Sequence, residues 1–292
     1  MTPSARPSPL SPRVLLCTAL AMLAFAGNSL LCRLALRYTD IDAVSFTTIR
    51  MLSGAAMLGL LVRWQHRGRA AMPRAGNWPA ALALVAYALC FSLAYVQLSA
   101  ATGALLLFGA VQATMIGRGL WMGERPGALQ IAGYLLAATG LAGMLWPGLT
   151  APPLVGALLM LAAGVAWGIY SVLGKREPDG VLSNAGNFLR ASALMAPLYL
   201  ISLHWARHDA TGALYAVLSG AVASGIGYAI WYAALRGLSV TTAGLVQLSV
   251  PVIAAAGGVA LLGEAVSWRL VVASGAVLGG VAAAMWAGRG RR

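Results

Sequence analysis

Long apolar stretches separated by short polar segments run through the whole chain. A bilayer core of about 30 Å is spanned by about 20 residues at the rise of an α-helix. The stretches show no period-two alternation, which favours helices over a β-barrel. The pattern predicts an all-α membrane protein with ten transmembrane helices, at residues 14–36, 43–62, 78–98, 103–122, 127–146, 154–173, 183–203, 212–234, 241–262 and 270–287.

Charge adds an orientation to this picture. The 292 residues are 60% hydrophobic and 9% charged, whereas soluble domains carry about 25% charged residues. With a cytoplasmic N-terminus, 13 of the 20 lysine and arginine residues lie on the inner side and three on the outer side. This positive-inside bias predicts a bacterial-type inner-membrane protein with both termini cytoplasmic. The net charge of +13 then reflects topology and contact with membrane lipid headgroups, and it does not indicate a nucleic-acid partner. The remaining four basic residues lie within predicted helices, namely Arg33, Arg50, Arg118 and Arg190.

Few side chains suited to catalysis or metal binding lie within the apolar stretches. The three cysteines have neither disulfide nor metal-ligand spacing. All three histidines and all seven carboxylates fall in predicted loops or at helix ends, and no nucleotide-binding loop is present. We therefore expect no metal, no cofactor and no enzymatic activity. Since no mid-membrane group is available to carry protons, any transport should depend weakly on the proton gradient.

The chain repeats its own pattern at an offset of about 140 residues. Arg50 and Arg190 are 140 residues apart, and so are Glu124 and Glu264. "YVQLSAATGALL" at 95–106 has its counterpart at the same offset in "LRGLSVTTAGLV". Internal self-similarity of this kind indicates that one structural unit occurs twice.

Each predicted unit holds five helices, which is an odd number. The second unit must therefore enter the membrane in the opposite orientation to the first. Inverted repeats are typical of transporters, in which the halves surround a substrate site near the midplane. The predicted segments are a cytoplasmic tail at 1–13, a first repeat at 14–146, an inverted second repeat at 154–287 and a basic cytoplasmic tail at 288–292.

Short motifs in the second repeat resemble a known family. "AWGIYSVLGK" at 166–175 and "LLGE" at 261–264, with an arginine in the second helix of each half, resemble the drug/metabolite transporter superfamily and its ten-helix EamA-type exporters. Within it the chain is most similar to YddG-type aromatic amino-acid exporters. The resemblance covers about 14–287 and implies a central cavity between two inverted halves. The first half departs from the pattern, with Phe25 and Ala26 where the family has Trp-Gly.

Aromatic side chains cluster on the third, sixth and eighth predicted helices. Three of them recur every four residues on the third helix and so share one face. Aromatic faces beside a few polar groups suit a pocket for small zwitterions, although packing in the core is the open alternative for each ring. The predicted substrate-binding residues are Trp167, Tyr87, Phe91, Tyr95, Tyr228, Trp231, Tyr170, Asn28 and Gln247.

Four charged residues are assigned gating or structural roles: Arg50, Arg190, Glu124 and Glu264. A charge inside a membrane is costly and should face protein or water. Each arginine has two interpretations, an anion site for a substrate carboxylate or a clamp on backbone carbonyls that fixes the halves. The paired occurrence favours the clamp, because substrates are rarely symmetric. The two glutamates are interpreted as turn and register residues.

Two G-x-x-x-G pairs provide small surfaces for helix packing. Gly164 and Gly168 form one pair, and Gly275 and Gly279 form the other. Such pairs let helices approach closely. We expect contacts within the chain and a monomer, with dimerisation as the open alternative.

These patterns predict a secondary transporter that exports small metabolites, most simply amino acids, by alternating access. One alternative within transport is efflux of drugs, or exchange of phosphorylated metabolites with Arg50 and Arg190 as phosphate ligands. An alternative of another class is an intramembrane lipid-handling or assembly protein. The sequence leaves the substrate, the coupling ion and the oligomeric state open.

The predicted topology can be tested by cysteine labelling in a background without the three native cysteines. An impermeant maleimide added to intact cells should label Asp40→Cys and His208→Cys, because both positions are predicted to be external. Arg69→Cys should stay unlabelled until the membrane is permeabilised. Labelling of Arg69→Cys in intact cells would refute the orientation.

Overall fold

The computed structural model describes residues 11–65, 75–123, 125–146, 148, 151–174, 177–235, 237–238 and 246–287. These residues form helices joined by short connections, and none of them lies in a β-strand. The helices are α1 (Pro12–Tyr38), α2 (Ala43–Gln65), α3 (Trp78–Tyr95), α4 (Ala100–Trp121), α5 (Ala128–Leu145), α6 (Leu154–Gly174), α7 (Gly180–Ser202), α8 (Ala210–Leu235), α9 (Ser249–Leu262) and α10 (Trp268–Ala287).

Seven helices in the described part of the chain are long and apolar enough to cross a membrane, namely α1 to α6 and α8. Helix α7 has 23 residues but is more polar, since it carries Asn184, Asn187 and Arg190. Helices α9 and α10 contribute shorter apolar segments. The all-helical class is thus confirmed, whereas the count of ten membrane spans and the inverted repeat stay predictions.

Polar caps explain where the observed helix boundaries differ from the predicted ones. Ser11 accepts a hydrogen bond from the Val14 amide at 3.3 Å, so α1 begins before residue 14. Ser99 accepts from the Thr102 amide at 3.2 Å, so α4 begins at Ala100 and not at 103. Side-chain acceptors at these positions satisfy amides that have no partner within the helix. The predicted helix start at 241 lies outside the described residues.

Helix α1 lies at the centre of the bundle. It packs against α8 and α9, with smaller contacts to α3 and α4. Helix α6 packs against α3 and α4, while α2 packs against α7 and α8. The first helix of each predicted repeat, α1 and α6, therefore contributes to the middle of the molecule.

Small residues set the closest helix approaches. A Cβ at Gly164 would lie 2.5 Å from the Leu107 carbonyl oxygen, so α6 meets the α4 backbone there. Gly168 lies similarly close to Thr114, and the first predicted pair thus packs within the chain. The expectation for the second pair was wrong, because no described residue lies within 4 Å of a Cβ added at Gly275 or Gly279. That face of α10 is not its packing face.

Helices α5 and α10 pack tightly on each other through other glycines. A Cβ at Gly133 would lie 2.5 Å from the Gly280 carbonyl oxygen, and one at Gly280 would lie 2.5 Å from the Gly133 carbonyl oxygen. Gly140 meets the Ala276 methyl in the same way, at 2.7 Å. The two helices are therefore in backbone contact over more than one turn.

The middle of α8, Leu218–Ile226, is a π-helix. Gly220 in this segment lies directly against Ser53 and the backbone carbonyl of Arg50 on α2. A π segment rotates the side chains that follow it, and such segments are frequent at functional sites. Here it brings α8 onto α2 at the depth of Arg50.

Asp42 joins two loops at one end of the bundle. Its carboxylate accepts from the Ser45 hydroxyl at 2.6 Å and from the Val44, Ser45 and Arg207 amides at 2.9–3.0 Å. Partial burial disfavours the ionised carboxylate, but the hydrogen bonds from Ser45 and the backbone outweigh it and lower the pKa of Asp42 below its ordinary value. The α1–α2 loop is thereby tied to the α7–α8 loop.

Replacing this carboxylate should destabilise the fold in a pH-dependent way. Asp42→Asn loses hydrogen-bond acceptors. At pH 7 it should lower the free energy of unfolding of the purified protein by about 1–2 kcal/mol, after allowance for screening by solvent, and so lower the Tm. Because the folded-state pKa is lowered, the Asp42 contribution is present above the unfolded pKa and is lost as pH falls through the folded one. The gap in Tm should therefore be full at pH 7 and narrow only as the pH falls below 3.8, the ordinary pKa of an aspartate.

The matched control is Asp40→Asn, a change at an exposed carboxylate two residues away. Asp40→Asn should leave the Tm unchanged at neutral and at acidic pH. Equal effects of the two substitutions would contradict a specific role for Asp42.

Candidate functional site

Helices α1, α3, α4, α6 and α8 meet around a small central cavity. Its volume is about 20 Å³, which is room for about one water molecule. Aromatic rings fill most of the space between the helices, so a larger occupant requires them to move apart. The lining residues are Phe25, Asn28, Ser29, Tyr87, Phe91, Leu107, Phe108, Trp167, Ala223 and Tyr228.

Trp167 is the centre of the aromatic wall. Its ring centroid lies 4.9 Å from that of Tyr87 and 5.2 Å from that of Tyr228. The Tyr87 ring in turn lies 5.3 Å from Phe91. The structure thus brings together five of the predicted substrate-binding side chains around one cavity: Trp167, Tyr87, Phe91, Tyr228 and Asn28. Their role in binding stays a prediction.

Phe25 faces Trp167 across the cavity and was not among the predicted site residues. The two ring centroids are 6.4 Å apart in an edge-on arrangement, and Phe25 also contacts Tyr228 at 5.8 Å. The positions are 142 residues apart, which is the offset that aligns "AFAGNSLLCRLAL" with "AWGIYSVLGKRE". That alignment was the signal that could have found Phe25. Phe108 had no such signal, since nothing distinguishes it within the apolar α4.

Two predicted site residues instead form part of the surrounding packing. Tyr95 lies against Gly103, stacks edge-on with Phe91 at 4.7 Å and donates to the Ala100 carbonyl at 3.4 Å. Tyr170 donates a hydrogen bond to the side-chain oxygen of Asn184 and packs behind Trp167. Neither side chain lines the cavity.

Two further predicted substrate-binding residues, Trp231 and Gln247, are not part of the lining. Trp231 packs against Phe25, at 5.9 Å between ring centroids. Gln247 is half-buried just before α9. Glu124 lies outside the described residues.

A chain of hydrogen bonds crosses the bundle beside the cavity. Ser219 in the π-helical segment donates to the Asn28 side-chain oxygen at 2.6 Å. Asn28 donates from its amide nitrogen to the Tyr87 hydroxyl at 3.4 Å, and Arg50 donates to the same hydroxyl from Nη2 at 3.2 Å. The chain links α8, α1, α3 and α2, and two of its members, Asn28 and Tyr87, line the cavity.

Arg50 is fully buried, yet its guanidinium is only partly satisfied. Nε and Nη1 have no hydrogen-bond partner among the residues that the structure describes. The guanidinium carbon lies 5.2 Å from the ring centres of both Tyr87 and Phe91, a cation–π arrangement. Within the described residues the one ion pair is elsewhere, between Arg33 and Glu264. Arg50 therefore does not have the geometry of a carbonyl clamp.

Arg190, its counterpart in the sequence pattern, lies in a different setting. It donates from Nη1 to the Ala75 carbonyl, ahead of α3, and to the Gly186 carbonyl at 3.1 Å. Its guanidinium carbon lies 5.7 Å from the Trp78 ring centre. This geometry agrees with the clamp interpretation and holds α7 against the start of α3.

Arg33 and Glu264 join three elements at one end of the bundle. Arg33 Nε contacts Glu264 Oε1 at 3.1 Å, and Arg33 Nη1 donates to the Tyr95 carbonyl at 2.9 Å. Glu264 Oε2 accepts from the Ala100 amide at the start of α4, at 2.8 Å. The pair ties α1 to the α3–α4 turn and the α9–α10 connection, at the end that is predicted to be external.

Comparison with known proteins identifies the family of this chain. The model of the EamA-like transporter family matches residues 12–146 and 154–286. The chain belongs to the EamA-like transporter family. It is therefore a multi-pass membrane transporter, while the division of the chain into two inverted repeats stays a prediction.

Relatives define the family membership further without assigning a substrate. The chain is 57% identical over 270 residues to the uncharacterized protein PA1977 of Pseudomonas aeruginosa. The aligned residues cover 92% of this chain and 93% of that protein. A protein of known crystal structure superposes on 97% of this chain and 100% of its own, with a TM-score of 0.66 at 21% identity. This likeness shows the fold alone.

The Arg33–Glu264 pair is expected to show strong coupling between its members. Arg33→Gln or Glu264→Gln alone leaves a nearly buried charge without its partner, which should cost about 3 kcal/mol and lower the Tm. The double variant removes both charges. Its loss in Tm should therefore be smaller than the sum of the losses in the two single variants. Tm values of the four proteins in one detergent measure the coupling.

Arg269→Gln is the control, because this half-buried arginine donates to the Trp146 carbonyl and has no ion pair among the described residues. Strictly additive effects of Arg33→Gln and Glu264→Gln would contradict the coupling.

Proposed function

We propose that this transporter exports small neutral amino acids, aromatic ones included, across the inner membrane by alternating access. The observation that carries the proposal is the central cavity, with aromatic rings on most sides and amide and hydroxyl groups on one. A ligand pocket of this kind takes apolar side chains against its rings and orients the polar end with few hydrogen bonds. The π faces of Trp167 and Tyr228 also suit an ammonium group.

The size of the cavity supports a conformational cycle. A space of about 20 Å³ does not hold an amino acid, so the rings of α3, α6 and α8 must separate for a substrate to enter. At the predicted outer end, Arg33 and Glu264 hold α1, the α3–α4 turn and the α9–α10 connection together. Opening that end requires these contacts to break, which fits rocking of two halves around a central site.

Exchange of phosphorylated metabolites is the second candidate, and the geometry favours it less. That function would bring Arg50 and Arg190 together on one phosphate. Arg190 is instead held by backbone carbonyls beside the α2–α3 connection. A dianionic phosphate would therefore meet one arginine at the cavity. The monoanionic carboxylate of an amino acid matches a single cation better.

Counterflow in proteoliposomes tests the proposal. Purified protein reconstituted with unlabelled phenylalanine inside should accumulate labelled phenylalanine, and other neutral amino acids should compete. Trp167→Leu should reduce the initial flux at least tenfold, because it removes the ring that contacts Tyr87 and Tyr228.

The matched control is Phe46→Leu, which removes a fully buried ring from α2 outside the cavity lining. Both variants lose packing, so the comparison separates lost stability from lost transport. The proposal fails if no neutral amino acid gives counterflow. If Trp167→Leu and Phe46→Leu transport equally well, Trp167 is not a substrate-binding residue.

A further inference from the structure

We propose that Arg50 is the binding group for a carboxylate of the transported substrate, and that the Tyr87 hydroxyl occupies the position of a carboxylate oxygen in the described conformation. This inference rests on the proposed function of the cavity and assigns the charge of its substrate. It follows from three features of Arg50. Its charge is uncompensated, two of its nitrogens have no hydrogen-bond partner among the described residues, and the Tyr87 ring that it contacts lines the cavity.

The first feature is an uncompensated charge. A guanidinium stays protonated in proteins, so burial does not neutralise it. Glu264 is paired with Arg33 at the end of the bundle, and no carboxylate lies within 4 Å of Arg50 in the part of the chain that the structure describes. The Tyr87 and Phe91 rings offset only part of the lost hydration. A buried cation with this surrounding is complementary to an anion that arrives from outside the protein.

The second feature is the position of the free nitrogens. A guanidinium offers two edges of parallel N–H groups, Nε with Nη2 and Nη1 with Nη2, and each edge matches the two oxygens of a carboxylate. In the described part of the chain Nε and Nη1 have no hydrogen-bond partner, while Nη2 donates to the Tyr87 hydroxyl. Displacement of that one hydroxyl therefore frees a complete edge.

The third feature is the route to the cavity. The Tyr87 hydroxyl accepts from Arg50 and from Asn28 at once, as a carboxylate oxygen would. Tyr87 and Asn28 both line the cavity, whereas Arg50 lies behind them. A carboxylate entering from the cavity can replace the hydroxyl on both donors, and the displaced hydroxyl can donate to the same anion. Tyr87 then acts as the movable group between Arg50 and the substrate.

The experiment compares ligands that differ only in charge. Isothermal titration calorimetry on the purified full chain in nanodiscs would use 3-phenylpropionate against 3-phenylpropionamide, and phenylalanine against phenylalaninamide. The wild-type protein should bind each acid at least tenfold more tightly than its amide. Arg50→Gln should abolish this preference, and Arg50→Lys should retain part of it, because an ammonium keeps the charge but not the planar edge.

Arg190→Gln is the matched control, since it removes the same charge at the corresponding position of the other half and should keep the wild-type ratio. Equal affinity for acid and amide in the wild-type protein overturns the inference, even if Arg50→Gln fails to fold. Absence of binding by all four ligands overturns it as well. An unchanged ratio in Arg50→Gln, or a ratio reduced equally in Arg190→Gln, does the same.

Failure of the proposed function gives a different result. Acid preference that depends on Arg50, without counterflow of any amino acid, would keep the carboxylate site and reject amino-acid export. Counterflow of phenylalanine with no effect of Arg50 on the acid-to-amide ratio would keep export and reject the site.

Discussion

The hydrocarbon core of a membrane supplies no water, so every polar group within it needs a partner inside the protein. This constraint organises the centre of the bundle. Ser219, Asn28, Tyr87 and Arg50 form one hydrogen-bonded chain because none of them has another source of partners at that depth. The chain connects four helices, and the π-helical turn of α8 places Ser219 at its end. Among these four side chains, Arg50 keeps two nitrogens without a partner in the described part of the chain, and this is why we propose it as a ligand for the substrate.

Much of the fold was predictable because membranes impose a simple length rule. The apolar stretches located the helices, and the side-chain caps at Ser11 and Ser99 account for shifts of a few residues at their ends. Packing was less predictable, since it depends on which helix face meets a neighbour. Gly164 and Gly168 meet α4 as expected, but on α10 the contact is made by Gly280 and not by Gly279. One residue changes the direction of a helical side chain by about 100°, and a spacing motif does not report that direction.

The site was partly predictable for a related reason. Rings spaced four apart on α3 share a face, so Tyr87 and Phe91 could be placed together, while Tyr95 at the helix end lies against Gly103 instead. The matching positions of Arg50 and Arg190 in the sequence pattern suggested similar surroundings for the two side chains, which the structure does not show. Both occupy matching positions in the pattern, but only Arg190 lies within reach of a loop carbonyl. A repeat preserves the path of the backbone, whereas the local partners of a side chain depend on residues that the two halves no longer share.

The glycine contact between α5 and α10 has a mechanical consequence. These are the last helices of the two matched segments, and they meet backbone to backbone at Gly133 and Gly280 with no side chain between them. Flexible side chains can slide past one another, but two backbones in direct contact form a stiff seam. The two matched segments are therefore joined along one margin of the bundle, and the alternating access that we propose would have its axis of rotation near that margin. No described residue of α5 or α10 is among those that line the cavity, so the proposed rotation would separate the cavity walls at a distance from this axis.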